Sequence, residues 1–172
     1  MVADECNIQH EPNGINRWSE IGKTPVIRVN RRRDIKHRIS LFGALSITTG
    51  KVLSFFCHWL NSETAIEFLG QMKTHRNRLL KTWNRTPLPI LLLWDNARYH
   101  KSKAVKAWLE ENPGVVELMN FPPYCPERNP QEHVWRAMKQ CLASRKTYAM
   151  QFDDIVTEAK KFLKKTFHYK LL

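Results

Sequence analysis

Three acidic residues stand where a carboxylate can do more than face water: Asp4, Asp95 and Glu132. Asp95 ends the apolar run Ile90 to Trp94, which reads as a strand buried on both faces. A side chain at the carboxyl end of a central strand points into the crevice where α/β proteins place their sites. Its hard anionic oxygens suit Mg²⁺ or Mn²⁺. The same Asp95-Asn96 pair also suits an Asx-turn that only starts a loop. Glu132 falls near a helix start, with Asn129 as the N-cap and Pro130 at the first helical position. That arrangement is a capping box, which needs no catalysis, and a carboxylate held by its own cap is a poorer metal ligand. Asp4 interrupts a strand beside Glu5, a position that strand ends and edges tolerate.

The elements that must position these residues follow from periodicity and punctuation. Met1 to Ile8 reads as a strand, and Pro25 to Val29 is a short apolar run. Arg38 to Ile47 and Lys51 to His58 are strand-rich and flank the turn Thr48-Thr49-Gly50, so they pair as a hairpin. A helix is expected over Ser62 to Trp83, capped by Asn61 or Ser62, with Ile66, Leu69, Met72, Leu79, Leu80 and Trp83 as its apolar stripe. After the Ile90–Trp94 strand, Ser102 caps a helix that runs to Glu111 and stops at Asn112-Pro113-Gly114. Val115 to Phe121 is a further strand. Helices over Pro130 to Ser144 and Asp153 to His168 close the chain, the last with an acidic start and a lysine-rich end. An antiparallel set followed by strand–helix alternation predicts an α/β domain: a mixed five-stranded sheet with helices on both faces. That element order is similar to the ribonuclease H-like fold.

Bulk properties agree with a single domain over residues 1–172, with 42% hydrophobic and 26% charged residues. No apolar stretch is long enough to span a bilayer. The first residues have no basic segment followed by an apolar one, so no secretory signal is expected. Cys6, Cys57, Cys125 and Cys141 are scattered without a Cys-x-x-Cys pair, which argues against zinc or a disulfide framework and for a reducing interior. The formal net charge of +12 suits a nucleic-acid partner.

The run Trp94-Asp95-Asn96-Ala97-Arg98-Tyr99-His100 and the run from Phe121 through Asn129-Pro130-Gln131-Glu132-His133-Val134-Trp135 resemble two motifs of the DDE transposases. The likeness is to the Tc/mariner superfamily and related bacterial insertion-sequence transposases. There the motifs read Asp-Asn-Ala-x-x-His and Pro-x-Tyr-Ser-Pro-x-x-Asn-Pro-Ile-Glu-x-x-Trp. Between Asp95 and Glu132 lie 36 residues, close to the family's usual interval. Asp4-Glu5, Arg17-Trp18, Gly22 and Thr24-Pro25 look like its first-aspartate strand and following loop. Cys125 replaces the usual Ser, Gln131 the usual Ile, and Arg128 stands where Leu is common.

The resemblance implies a catalytic and metal-binding triad of Asp4, Asp95 and Glu132, with two Mg²⁺ or Mn²⁺ ions, that cleaves DNA strands and transfers a 3′-hydroxyl to a target. It implies supporting roles for Asn96 and His100, although a purely structural histidine fits position 100 as well. It further implies DNA (transposon ends and target) as partner, a homodimer in the DNA complex, no membrane, and a cytoplasmic, nucleoid-associated location in a bacterium or a nuclear one in a eukaryote. The helix-turn-helix modules that usually precede this domain are expected to be absent from residues 1–172. A separate upstream polypeptide, a frameshifted partner or a decayed element could each account for that.

Arg31, Arg32, Arg33 and Lys36 form the densest basic stretch, and Lys101 and Lys103 sit just past Asp95. Both groups are candidates for phosphate contact, or for a solvated surface. Two other functions remain open at this stage. One is a truncated, non-catalytic DNA-binding remnant or partner-dependent subunit. The other is a different ribonuclease H-like nuclease, such as a resolvase.

Overall fold

The computed structural model describes residues 1–10, 20–23, 38–83, 88–122, 129–144 and 150–167. The Pro25–Val29 run, the Arg31–Lys36 basic stretch and most of the loop before Asn129 lie outside them.

Five strands form one sheet in the order β3-β2-β1-β4-β5, with β1 Val2–Gln9, β2 Arg38–Leu45, β3 Val52–Cys57, β4 Ile90–Trp94 and β5 Val116–Asn120. The hairpin expected around Thr48-Thr49-Gly50 is present, and β1, β2 and β3 pair antiparallel. Strand β4 runs parallel to both β1 and β5, through the register pairs Val2↔Leu93 and Trp94↔Asn120. Continued by two residues, that register brings Asp4 and Asp95 level on adjacent strands.

Alternation divides the sheet into two faces. Ala3, Phe42, Ala44, Leu92 and Trp94 pack on one side against α1 (Ser62–Trp83) and α2 (Lys103–Glu111). Cys6, Ile8, Leu41 and Leu45 pack on the other against α3 (Pro130–Ser144) and α4 (Phe152–Leu163). Asp4 shares the second face and Glu5 the first, so two neighbouring acids are sent to opposite sides. Each large core side chain removed from water contributes about 1.5–3 kcal/mol, so this two-sided burial resists a slip of β1 that would exchange the two acids.

Helix α1 is capped by Asn61, whose Oδ1 accepts from Thr64 N at 2.9 Å. Its buried face is Ala65, Phe68, Leu69 and Met72, rotated from the expected stripe, while Leu79 and Leu80 stay half-exposed. Among the described residues the fully buried positions of this helix end at Met72. Ser102 caps α2 as expected, accepting from Val105 N at 3.3 Å.

Helix α4 ends at Leu163, five residues before the expected limit. The chain then turns back: Thr166 bridges to Lys51, and Phe167 N donates to Gly50 O at 2.7 Å. Gly50 has φ +66°, and a Cβ there would lie 2.3 Å from Phe167 O. A tertiary contact with the β2–β3 turn thus overrides a sequence that would continue the helix.

Candidate active site

The start of α3 is tied to β1 by a single side chain. Asn129 is buried; its Nδ2 donates to Ala3 O at 3.3 Å and its Oδ1 accepts from Gln131 N at 3.0 Å. Asn129 therefore caps α3, but the capping box expected at Glu132 is incomplete. Among the described residues, no hydrogen bond returns from the Glu132 carboxylate to Asn129. The Asn129 side-chain amide goes to β1, and the Glu132 side chain stays exposed in the first turn of α3.

Asp4 faces α3. Its Oδ2 accepts from the indole Nε1 of Trp135 at 3.0 Å. The residue opposite Asp4 on β2 is Gly43, and a Cβ there would lie 2.3 Å from Trp135 Cη2. Only glycine leaves room for the indole to reach the aspartate. Burial raises the Asp4 carboxyl to about 8, reinforced by the charges of Glu132, Glu5 and Asp95. Two elements distant in sequence thus bring the carboxylates of Glu132 and Asp95 within electrostatic reach of Asp4.

Asp95 has the opposite character. Its contact with His100 holds the carboxyl below the usual range against the effect of partial burial, helped by Ala97 N and the Lys101 charge. Ala97 N donates to Asp95 Oδ1 at 2.9 Å, so the Asx-type turn read as an alternative to ligation is present. His100 Nδ1 lies 2.8 Å from the same oxygen. Both contacts use Oδ1, and the Asp95 side chain remains 46% exposed. Turn and ligand are therefore compatible roles.

His100 sits in a short 3-10 turn, Arg98–Lys101, that breaks out of the β4–α2 loop. It is buried against Trp94, with ring centroids 3.7 Å apart. Its Nε2 is 2.9 Å from Glu5 Oε1, off the line of the N–H, so that contact is electrostatic rather than an aligned hydrogen bond. Burial opposes the imidazolium, but the contacts with Asp95 and Glu5 outweigh it and the net shift is upward. The same Glu5 oxygen accepts from Trp94 Nε1 at 2.9 Å.

Two oxygen-rich donor sets share Asp95. Asp4, Asp95 and Glu132 lie toward α3; they are hard carboxylates whose mutual repulsion a divalent cation would relieve. Glu5, Asp95 and His100 lie toward α2, with ligand atoms within 4.8 Å of one another. The second set is closed: the His100 and Glu5 side chains are only 3% and 10% exposed, and the imidazole already occupies the space between the carboxylates. It reads as an ion-pair network, yet among the described residues it is the one acidic or histidine trio whose ligand atoms gather this closely; Asp4, Asp95 and Glu132 do not.

Asn96 ties the loop down: its Nδ2 donates to Phe121 O at 2.9 Å and its Oδ1 accepts from Lys101 Nζ at 2.6 Å. Lys101 and Lys103 are exposed at the rim beside Asp95. The sequence places Trp135 in the family-like motif but assigns no role to Glu5 or Gly43. The available signal for Glu5 was an acid alternating with Asp4 on an otherwise apolar strand face; for Trp135 it was the helical spacing from Glu132.

A five-stranded sheet in this order, covered on both faces by helices, is a ribonuclease H-like domain. Residues 1–154 match the family described as DDE superfamily endonuclease, and the chain belongs to that family. It is 31% identical over 150 residues to the insertion element IS630 uncharacterized 39 kDa protein of Shigella sonnei, covering 82% of this chain and 41% of that protein. The chain thus spans less than half the length of this relative. The fold is similar to that of the Mos1 mariner paired-end complex with Mn (TM-score 0.59, 18% identity, 97% of this chain and 56% of that one). It is likewise similar to the Mos1 transposase paired-end complex with the left transposon end (TM-score 0.57, 18% identity, 97% and 56%). These findings bear out the likeness to DDE transposases of the Tc/mariner and insertion-sequence type. No described helix is long and apolar enough to cross a membrane.

Proposed function

We propose that this chain is the catalytic core of a DNA transposase, in which Asp4, Asp95 and Glu132 hold two Mg²⁺ or Mn²⁺ ions for strand cleavage and strand transfer. The observation that carries this reading is the crowding of acids at Asp4, where Glu132, Glu5 and Asp95 all act on one carboxyl. Asp4 is raised to about 8 by burial and by the charges of Glu132, Glu5 and Asp95. A fold that gathers like charges around one carboxyl is suited to receive a cation there. Bound there, divalent ions supply activation of the attacking oxygen and charge neutralisation at the leaving one.

The chain's own residues have separate tasks. Asp95 is ionised and oriented by His100 and Ala97 N. Asp4 stays largely protonated near neutral pH until a cation displaces its proton. Glu132 projects from the first turn of α3, free of its cap. Asn96 and His100 keep the Asp95 loop in place. Lys101, Lys103, Arg31, Arg32, Arg33 and Lys36 supply phosphate contacts, in keeping with the net charge of +12. The DNA partners are transposon ends and a target, engaged by a homodimer, with end recognition supplied by a region outside residues 1–172.

The test is nicking of supercoiled plasmid by the chain in Mg²⁺ or Mn²⁺. Glu132→Gln, Asp4→Asn and Asp95→Asn should each lower nicking by roughly a hundredfold or more while the fold persists. Near-normal nicking by Glu132→Gln would sink the metal role. DNA retention without cleavage in either cation would make the chain a non-catalytic DNA-binding remnant or a partner-dependent subunit.

A further inference from the structure

We propose that Glu5 is a positioning residue that acts through His100 to set the carboxylate of Asp95. The inference rests on the metal-site reading above and deepens it. A buried acid on an apolar sheet face is costly unless something on that face needs its charge. Glu5 is paired across the sheet with Phe42, and it points away from Asp4 and α3 into the layer between the sheet and α1–α2. Its side chain is 10% exposed. What it meets there is His100 Nε2 at 2.9 Å and the Trp94 indole N–H at 2.9 Å from the same oxygen.

His100 is held on three sides. The Trp94 ring lies at 3.7 Å, the Tyr99 ring at 4.3 Å and the Glu5 carboxylate at the far nitrogen. Its remaining nitrogen is fixed 2.8 Å from Asp95 Oδ1, the oxygen that also accepts from Ala97 N. The imidazole thus bridges the two carboxylates, Glu5 at one nitrogen and Asp95 at the other, where Nδ1 also lies 3.4 Å from the Asp95 backbone O. Asp95 Oδ1 is thereby held between Ala97 N and the imidazole. The adjacent acids Asp4 and Glu5 therefore serve one centre from opposite faces of the sheet, one directly and the other through an imidazole. Because Glu5 lies beneath His100 rather than beside Asp4, it is not itself a ligand.

Glu5→Gln is the diagnostic change. Gln keeps the shape and the acceptor for Trp94 Nε1 but removes the charge facing His100. Two readouts apply: Mn²⁺ affinity, followed by the loss of the free-ion resonance, and hydrogen exchange of the Ala97 amide in metal-free protein. Glu5→Gln should weaken Mn²⁺ binding about tenfold and speed Ala97 exchange about tenfold. His100→Asn, which retains a donor toward Asp95 but cannot reach Glu5, should show a similar loss. Adding Glu5→Gln to His100→Asn should then change affinity by less than about twofold.

Unchanged Ala97 exchange in Glu5→Gln would overturn the proposal, and so would a full tenfold effect of Glu5→Gln in the His100→Asn background. Should Glu5→Gln fail to fold, wild-type Mn²⁺ affinity and Ala97 exchange in His100→Asn alone would overturn it. The two readings fail separately. Absence of Mn²⁺ binding by the wild type, with Ala97 exchange still responding, would remove the metal site and keep the positioning role.

Discussion

The indole of Trp135 donates to Asp4 Oδ2 at 3.0 Å across 131 residues of sequence, and Gly43 opens the space through which it passes. This hydrogen bond ties helix α3, which carries Glu132, to the strand that carries Asp4. Trp135→Phe removes the donor and keeps most of the packing. Loss of a hydrogen bond to a buried carboxylate should cost about 1.5–3 kcal/mol wherever Asp4 is ionised, and raise the Asp4 carboxyl further. Urea unfolding checks the first effect, and a weaker Mn²⁺ affinity at neutral pH checks the second.

Gly43→Ala tests the same junction from the other strand. Its new methyl would sit 2.3 Å from Trp135 Cη2 and 2.7 Å from Cζ2. Neither the sheet nor a helix held by Asn129 gives way cheaply, so overpacking should cost about 1–3 kcal/mol. Phe at position 135 lacks both atoms. The double variant Gly43→Ala/Trp135→Phe should therefore be more stable than the two single losses predict, as read in a double-mutant cycle.

The pH dependence of Asp4 has a definite sign. Its folded pKa, about 8, lies above the ordinary 3.8. The neutral carboxyl is the form that folding prefers, so its contribution to metal-free stability is complete below the unfolded pKa. That contribution is lost as pH rises through the folded value. Asp95 is shifted downward and behaves oppositely: its contribution is present above the ordinary carboxylate range and lost as pH falls through its lowered pKa. A divalent cation must displace the Asp4 proton below about pH 8, so Mn²⁺ affinity should climb up to that pH and level off above it. Proton release during titration in weak buffer measures this directly, and Asp4→Asn should abolish the release.

Gln131 offers a stability test outside the charged cluster. It is fully buried at the second position of α3, and among the described residues neither its Oε1 nor its Nε2 has a hydrogen-bond partner. A buried amide without partners costs about 1–3 kcal/mol, and an apolar side chain of similar volume avoids that cost. Gln131→Met should raise the melting temperature by a few degrees, about 1 kcal/mol in stability, with Glu132 undisturbed. A lower melting temperature would mean that the amide has a partner, such as an ordered water.

Much of the fold was legible because local rules carry it. Ile90–Trp94 is a strand because an unbroken apolar run suits a strand buried on both faces; α3 begins at Pro130 because Asn129 can cap and proline has no N–H to lose. Both limits match the structure. Ser102 and the turn before β3 are the same kind of signal. The acids were legible by the same logic, as carboxylates at a strand end, on a strand and in a first helical turn.

What the sequence by itself determined is the order of elements and the residue types available to each, since propensity, capping and periodicity act within a few residues. Tertiary structure decided which partners those residues take. Glu5 turns from its neighbour Asp4 to His100, Trp135 donates to Asp4, Asn129 gives its side-chain amide to β1, and α4 stops where Phe167 meets Gly50. Each of these is a contact between elements far apart in the chain, and no local spacing encodes the strand pairing and helix docking that create it.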